Sequence, residues 1–351
     1  MGRRDEPTDG VEDYCAFLAQ ALSRYGVTLQ LARLSWDKEG WSPALRKLRR
    51  ESKDWSGSSV LLQYTGMAWS RRGFPTEVMD VTRILRRNGL RCVAVFHEHK
   101  RQSGSRRWID PVRGMCQDIV IRHLYRAATK AIFTVPLKSV TWLPQESAKA
   151  QFIPIGANVP ERLEPRQPKE GSKTVAVFGF SEAPNMVREA ETIAASVRHA
   201  AESICGLRLV LCGRGSSEAG KLIDRLLQGS RAQVITKGLL SAGEVASELE
   251  CADVYLFVRG SITLQRGTAI AGIACGVPIV GYRNGEVSPP LDEAGIQWAP
   301  LGDCESLARN LTQVLSNGRI WNDLHERNLR LQRNYFSWDR IAEQYLAALS
   351  Q

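Results

Sequence analysis

The stretch from Gln265 to Val287 reads QRGTAIAGIACGVPIVGYRNGEV. A polar Arg-Gly-Thr triplet opens a run of small apolar residues that ends in a glycine. Residues 277–280 (VPIV) then have the composition of a short buried strand, and Asn284-Gly285 turns the chain. Another apolar segment, ADVYLFV at 252–258, comes before the triplet. Strand, helix and strand in this order predict a parallel α/β sheet.

Strand-like and helix-like segments alternate along the rest of the chain as well. The predicted strands of the first half are VTLQLARLSW (27–36), SSVLLQYTG (58–66), RCVAVFHEH (91–99), AIFTV (131–135) and QFIPIG (151–156). Those of the second half are KTVAVFGF (173–180), LRLVLCGRG (207–215), AQVITKG (232–238), ADVYLFV (252–258) and VPIVGY (277–282). Apolar strands separated by helices indicate sheets that are covered on both faces.

A charged, proline-containing stretch, PERLEPRQPKEGS, lies between the two halves. We therefore predict an α/β protein of two tandem Rossmann-like domains with a cleft between them. Residues 1–160 form the first domain, 161–172 a linker and 173–351 the second. The last helix is a candidate to pack back on the first domain.

Composition narrows the class of protein. No apolar stretch approaches the roughly 18 residues that cross a bilayer, and the N-terminus lacks the apolar core of a signal peptide. The eight cysteines form no C-x-x-C pair, which indicates reduced thiols. The group His97-Glu98-His99 has no further ligand at metal-binding spacing. We predict a cytoplasmic protein without a metal.

The net charge of +10 is unevenly placed, because the basic excess lies in residues 1–165 and the remainder is balanced. A basic half indicates an anionic partner, and an anionic membrane surface is one candidate. A solvated basic face is the alternative for any single cluster. Nucleic acid is not predicted, since there is no helix-turn-helix or RNP-like signature and aromatic residues are not interleaved with the arginines.

Arg266-Gly267-Thr268 has the chemistry of a diphosphate site. The start of a helix presents free N–H groups and partial positive charge, glycine admits an anion, and threonine and arginine can bind phosphate oxygens. The alternative is an ordinary helix cap beside a surface arginine. Gly213-Arg214-Gly215, after another strand, is either a phosphate or base cradle or a plain turn.

The ordered set ADVYLFVRG, ACGVPIVGY, NGE, LGDCESLARNL and FSWDRIAEQYLAAL resembles the C-terminal half of family 4 retaining glycosyltransferases of the GT-B fold. GVEDYCAFLAQALSRYGVTLQL, the region 61–99 and FIPIGANVP resemble the acceptor domain of that family. The resemblance implies transfer of a hexosyl group from a UDP- or GDP-linked sugar to a glycan or lipid-linked acceptor, in polysaccharide or cell-envelope glycan synthesis. It implies retention of configuration, no metal and no cofactor besides the substrate nucleotide sugar.

The same resemblance assigns site residues. By this resemblance His97 contacts the transferred sugar or the diphosphate, and the alternative is a strand-end histidine held by local hydrogen bonds. Glu98 is a candidate to orient it or the acceptor hydroxyl. The charge that develops on the departing diphosphate leads us to assign its stabilisation to Arg266, Gly267 and Thr268. The donor-binding residues are then Gly179, Phe180, Gly213, Gly238, Leu239, Arg266, Gly267, Thr268 and Glu286.

In the first half, Tyr64, Arg71, Arg72 and Gly73 follow a strand and precede a helix. An Arg-Arg-Gly loop in that place is a candidate acceptor site, for example for the phosphate of a lipid carrier. A solvated loop is the alternative.

Three departures from the family pattern stand out. Thr263 and Ala271 occupy the positions of its glutamate pair, of which the second usually holds the ribose. The arginine and lysine expected after the strand at 173–180 are absent. The usual first strand is also missing, so the start is late or the sheet lacks a strand. A catalytically silent GT-B nucleotide-binding protein is therefore the main alternative, and a nucleotide-sugar epimerase is a second.

Overall fold

A computed structural model describes residues 10–99, 101, 107–144, 146–162, 164–168 and 170–350. The chain forms two compact units. The first consists of the described residues of Met1–Ile155 and Ile341–Gln351, and the second is Gly156–Arg340. The final segment of the chain thus belongs to the unit in which the chain begins.

The first unit contains a parallel sheet in the order β1-β2-β3-β4. Its strands are β1 (Ser59–Tyr64), β2 (Arg91–Phe96), β3 (Lys130–Phe133) and β4 (Ala150–Phe152). Its helices are α1 (Gly10–Ser23), α2 (Trp36–Glu39), α3 (Trp41–Glu51), α4 (Val78–Arg87) and α5 (Asp110–Ala127). The apolar runs that predicted β1 and β2 are buried at their carboxyl ends, as expected for strands covered by helices.

The strand predicted at residues 27–36 is wrong. Residues 27–35 form neither helix nor strand, and α2 begins at Trp36. Leu31 is exposed. The segment has the alternating apolar pattern of a strand, but a strand also needs a hydrogen-bonded neighbour, and this segment pairs with none of the described strands.

The second unit contains a parallel sheet in the order β10-β9-β8-β5-β6-β7. The strands are β5 (Thr174–Phe178), β6 (Arg208–Cys212), β7 (Gln233–Gly238), β8 (Val254–Ser261), β9 (Ile279–Arg283) and β10 (Ile296–Pro300). The strand order reverses between β5 and β8. In open parallel sheets the carboxyl ends of the strands at such a reversal form the ligand site.

Helices cover both faces of this sheet. They are α6 (Asn185–Ser203), α7 (Ser216–Leu226), α8 (Ala242–Cys251), α9 (Gly267–Ala274), α10 (Cys304–Ser316) and α11 (Gly318–Leu331), which a π-helical turn (Gln332–Phe336) follows. The final helix, α12 (Trp338–Ser350), crosses from this unit into the first. Two parallel sheets with helical covering confirm the predicted pair of Rossmann-like domains. Strand β10 and helix α11 were not predicted.

The described residues of the predicted linker form neither helix nor strand, yet they are bonded to the second unit. Arg162 N–H donates to the carbonyl of Ala274, with 2.9 Å between the heavy atoms. Arg166 N–H donates to His325 Nε2 at 3.0 Å. Within the described part of the chain, no helix has the length and apolar character to cross a membrane.

Candidate functional site

The carboxyl ends of β5, β6 and β7 are joined by backbone hydrogen bonds. Gly179 N–H donates to Cys212 O at 2.8 Å, Phe180 N–H to Arg214 O at 2.9 Å, and Gly213 N–H to Gly238 O at 2.8 Å. These loops therefore assemble four residues that the sequence assigned to the donor: Gly179, Phe180, Gly213 and Gly238.

Two of these residues can offer a ligand only their backbone. The Phe180 side chain is buried in the core of the second unit, so its main chain alone is available at these loops. Gly213 has a φ of 86°, and an added Cβ would lie 2.8 Å from the ring of Phe178. Leu239, in contrast, is 56% exposed just beyond β7, and its side chain is available at the surface.

The loop after β5 lies against the end of β8 and the start of α9. A Cβ on Gly179 would be 3.1 Å from Arg259 Nη1 and 4.0 Å from Thr268 Cγ2. The Tyr255 hydroxyl is buried nearby; burial raises its pKa, and its interaction with the Thr268 side chain partly offsets that rise. Thr268 lies beside Gly179, and none of the described side chains caps α9.

Positive charge is concentrated between the end of β8 and the start of α9. Arg266 is the residue that precedes α9, and a Cβ on Gly260 would lie 3.8 Å from its Nη2. Partial burial, and then the neighbouring Arg259, lower the pKa of Arg266 below its ordinary value. The Nε of Arg259 is buried and has no hydrogen-bond partner among the residues that the structure describes.

One carboxylate, that of Glu189, acts against this effect. Glu189 raises the pKa of Arg266, but less than burial and Arg259 lower it. Its Oε2 also accepts a hydrogen bond from Ser181 N–H at 2.9 Å, and its side chain is buried. Two guanidinium groups thus repel each other at the start of a helix where the N–H groups of Gly267 and Ala269 donate to backbone carbonyls and none of the described side chains caps the end, which is an arrangement that an anion stabilises.

A cavity of about 760 Å³ opens beside the arginine pair, Arg259 and Arg266. It is bounded by the first turns of α6, the end of β8, and the loop that leads to α10. Arg188 and Tyr282 are among its other lining residues. The volume is within the range of small-molecule sites, so the arginine pair borders space for a ligand.

Sequence reasoning missed Arg259 and Arg188. The signal for Arg259 was present, because Arg-Gly ends the apolar strand ADVYLFVRG seven residues before Arg266. The family pattern has an arginine and a lysine in the loop after the strand at 173–180, and this chain has neither. Arg188, on the first turns of α6, is a cation close in sequence to that loop. Glu286 is exposed in the loop after β9 and does not line this cavity.

In the first unit, His97 and Glu98 follow directly after β2. His97 Nε2 lies 2.7 Å from Gln63 Oε1, and its ring packs edge-on against Tyr14 with centroids 5.1 Å apart. Burial lowers the pKa of His97 to about 4, so the imidazole is neutral at pH 7. Glu98 Oε2 accepts a hydrogen bond from Gly66 N–H at 2.7 Å and holds the loop after β1.

The structure corrects the predicted acceptor residues. Tyr64 is only 1% exposed and packs against Phe96, so its side chain belongs to the core and has no surface for an acceptor. Gly73 is buried, and its carbonyl accepts from Gln117 Nε2 at 3.0 Å. The exposed side chains of the loop are those of Arg71 and Arg72.

The two positions of the family's glutamate pair, Thr263 and Ala271, have different surroundings in the structure. Ala271 is 1% exposed within α9, whereas Thr263 is exposed in the loop after β8. Among the described residues, no group of three or more His, Cys, Asp or Glu side chains is arranged to hold a metal ion.

No protein-family model matches the sequence, and no curated protein matches it. Solved structures do match the fold. HepE of Anabaena, in complex with UDP and glucose, is 12% identical with a TM-score of 0.65, and the match covers 99% of this chain and 98% of that one. A glycosyltransferase from Rickettsia africae is 11% identical with a TM-score of 0.66, covering 97% and 94%.

A third match is a protein described as a putative UDP-N-acetylglucosamine 2-epimerase from Listeria monocytogenes. It is 13% identical with a TM-score of 0.64, and the match covers 100% of this chain and 94% of that one. Similarities at this level of identity show the fold alone. The chain therefore has the two-domain GT-B fold, and its activity has to be argued from its own site.

Proposed function

We propose that this protein is a glycosyltransferase that takes a sugar from a nucleotide diphosphate sugar. The observation that carries the proposal is the arginine pair, with Arg259 at the end of β8 and Arg266 just before α9, and with a buried Nε of Arg259 that lacks a described partner. Phosphate oxygens accept hydrogen bonds from guanidinium groups and from uncapped helix N–H groups at once. HepE, one of the structural neighbours, was solved with UDP.

The chemistry follows from the charge that develops during transfer. The bond from the sugar to the diphosphate breaks, and negative charge grows on the departing diphosphate. Arg259, Arg266 and the start of α9 stabilise that charge, while Gly179 lets the diphosphate approach the backbone. The nucleoside is bound by the loops after β6 and β7, at Gly213, Gly238 and Leu239.

His97 and Glu98 are proposed to contact the sugar and orient the acceptor. A neutral His97 acts by hydrogen bonding, since burial removes its charge at pH 7. The acceptor is a glycan or a lipid-linked group, with Arg71 and Arg72 as the exposed cations available to a phosphate. Glu286 is proposed to contact the donor from the loop after β9. Retention of configuration, independence of metal and a role in envelope or polysaccharide synthesis belong to the same proposal.

Calorimetric titration with UDP, GDP and their sugar conjugates tests the donor site. We expect micromolar binding of one nucleotide, weakened about 10- to 100-fold in Arg259→Gln and in Arg266→Gln, because each loses a charge-assisted hydrogen bond. Arg309→Gln is the control, since Arg309 is exposed and paired with Glu305. Binding that is equal in all four proteins, or absent in all, overturns the assignment.

A silent nucleotide-binding protein is the second candidate function. The buried Ala271 and the exposed Thr263 favour it, because the family's glutamate pair is missing from both positions. Slow hydrolysis of the bound nucleotide sugar distinguishes the two. Hydrolysis that Arg266→Gln reduces more than tenfold indicates a transferase, whereas tight binding without any turnover indicates the silent protein.

A further inference from the structure

Helix α5 has two apolar faces, and only one of them is buried. The buried face carries Gln117, Val120, Ile121 and Leu124. Four large apolar side chains on and just before the helix are instead exposed. They are Trp108 (79% exposed), Val112 (57%), Met115 (58%) and Ile119 (55%), and we refer to them as the apolar stripe.

The spacing places the apolar stripe on one side of the helix. At about 100° per residue, Val112, Met115 and Ile119 fall within an arc of about 60°, roughly opposite the buried face. Trp108 lies in the 3₁₀ turn directly before α5, about one turn ahead of Val112. Single exposed apolar residues are normal at a surface, whereas a contiguous row marks an interaction site.

Basic residues continue the same side of the helix. Arg122 and Arg126 follow Ile119 at helical spacing, and both are exposed. Partial burial, and then Arg83, Arg86 and Arg126, lower the pKa of His123 below its ordinary value, so α4 adds positive charge nearby.

Three acidic groups close to this surface are paired, whereas Glu77, which together with burial raises the pKa of Cys116 on α5, forms no ion pair among the described residues. Asp118 Oδ2 lies 2.6 Å from Arg101 Nη2, and Asp80 forms an ion pair with Arg83. Asp110 pairs with the buried Arg113. Arg86, Arg122 and Arg126 therefore leave a net positive charge beside the apolar stripe, in the half of the chain that carries the whole excess of +10.

We propose that the apolar stripe, with Arg122 and Arg126, is a docking surface for an anionic lipid membrane. An apolar row bordered by basic residues is what a helix at a membrane surface presents, and tryptophan is favoured at the depth of the headgroups. A second copy of this chain is the less suitable occupant, because two such faces bring like charges together.

Docking in this way also positions the Arg71-Arg72 loop. Arg113 Nε donates to Arg72 O, and Gln117 Nε2 to Gly73 O, each at 3.0 Å, so the loop is bonded to the buried face of α5. If the acceptor is lipid-linked, which rests on the proposed function, a docked α5 holds this loop at a fixed position relative to the lipid headgroups.

Vesicle sedimentation tests the surface. The full chain is mixed with vesicles of phosphatidylglycerol and phosphatidylcholine, and separately with phosphatidylcholine alone. We expect binding to the anionic vesicles that falls with added salt. It should weaken at least tenfold in the triple variant Val112→Ser, Met115→Ser, Ile119→Ser, and about fivefold for each of Arg122→Gln and Arg126→Gln.

The control is Leu31→Ser, which removes an exposed apolar side chain of the same unit outside the stripe and should leave binding unchanged. Equal binding to neutral vesicles, or full binding by the triple variant, overturns the proposal. So does a wild-type dimer that becomes a monomer in the triple variant without any vesicle binding, because the occupant is then a second copy. UDP binding by the triple variant reports the donor site separately.

Discussion

At the scale of the residue, His97 shows how the fold sets the chemistry of one side chain. Its backbone N–H extends the ladder of β1 and β2 by donating to Tyr64 O at 3.1 Å. The imidazole then lies between Gln63 and Tyr14. A charged ring is costly in such a place, and the pKa falls from 6.5 to about 4. Proposed contacts of His97 with the donor are consequently those of a neutral group.

The lowered pKa of His97 makes the stability depend on pH. The native state binds fewer protons than the unfolded chain between pH 4 and 6.5, so the free energy of unfolding rises with pH in that window. The stabilisation is complete above pH 6.5 and is lost as the pH falls through 4. We expect His97→Gln to flatten this part of the curve by about 2 to 3 kcal/mol.

Urea titrations at pH 4.5, 5.5, 6.5 and 7.5 measure the effect. His199→Gln is the control, since it removes an exposed histidine of α6. A His97→Gln curve parallel to that of the wild type over the whole range would show that the imidazole titrates normally in the folded protein.

Prediction at single residues agreed with the structure on where a helix begins and disagreed with it on the direction of a side chain. Gly267 and Thr268 begin a helix as expected, because small residues after a turn have few alternatives. Tyr64 was a candidate acceptor residue because it comes between a strand and a helix, but an apolar strand buried on both faces gives no sign of where each side chain points. Arg259 was missed although Arg-Gly ends an apolar strand, because an arginine at the end of a strand is also common at an ordinary surface.

At the scale of the element, α11 is the main difference between sequence and structure. Its sequence, GRIWNDLHERNLRL, has apolar residues at helical spacing, but charged and amide residues lie between them and on the buried side as well. Asn317 caps it by accepting from the N–H groups of Arg319 and Ile320. Two of its polar residues, His325 and Asn328, are buried. Polar residues that serve the interior through hydrogen bonds cannot be distinguished from surface residues by composition.

Asn328 holds the starts of β9 and β10. Its Oδ1 accepts from Gly295 N–H at 2.7 Å, and its Nδ2 donates to Val277 O at 2.8 Å. We expect Asn328→Ala to lower the free energy of unfolding by about 2 to 4 kcal/mol, because buried backbone groups lose their partners. Chemical denaturation measures the loss.

Arg330→Ala, on the exposed side of the same helix, is the control and should change the stability by less than about 0.5 kcal/mol. If the two substitutions cost the same, α11 contributes through its helical packing alone, and the bonds of Asn328 add nothing.

At the scale of the whole molecule, the sequence predicted the architecture better than the site. Apolar strands alternate with helices throughout, and each half contains enough of them for its own sheet, so two Rossmann-like domains follow from periodicity. The periodicity of the sequence does not show which loops lie next to each other in the folded protein. The contact of Gly179 with Arg259 depends on β5 lying beside β8, which are distant in sequence, and strand order is not encoded in any local pattern.

The chain ends in the unit where it begins, and this arrangement has a measurable consequence. Tyr345 on α12 is fully buried, and its hydroxyl lies 2.8 Å from that of Tyr14 on α1. We expect Tyr345→Ala to destabilise the first unit by about 3 to 5 kcal/mol, through a cavity and a lost hydrogen bond. Hydrogen exchange should then accelerate in β1 to β3 and remain unchanged in β5 to β8.

Two further variants serve as controls. Tyr345→Phe should give a smaller acceleration of exchange in β1 to β3. Tyr335→Ala, at a partly exposed site of the second unit, should give no acceleration in those strands. A helix that belongs to one unit protects that unit first from local unfolding. Equal acceleration of exchange in both sheets would therefore contradict the assignment of α12 to the first unit alone.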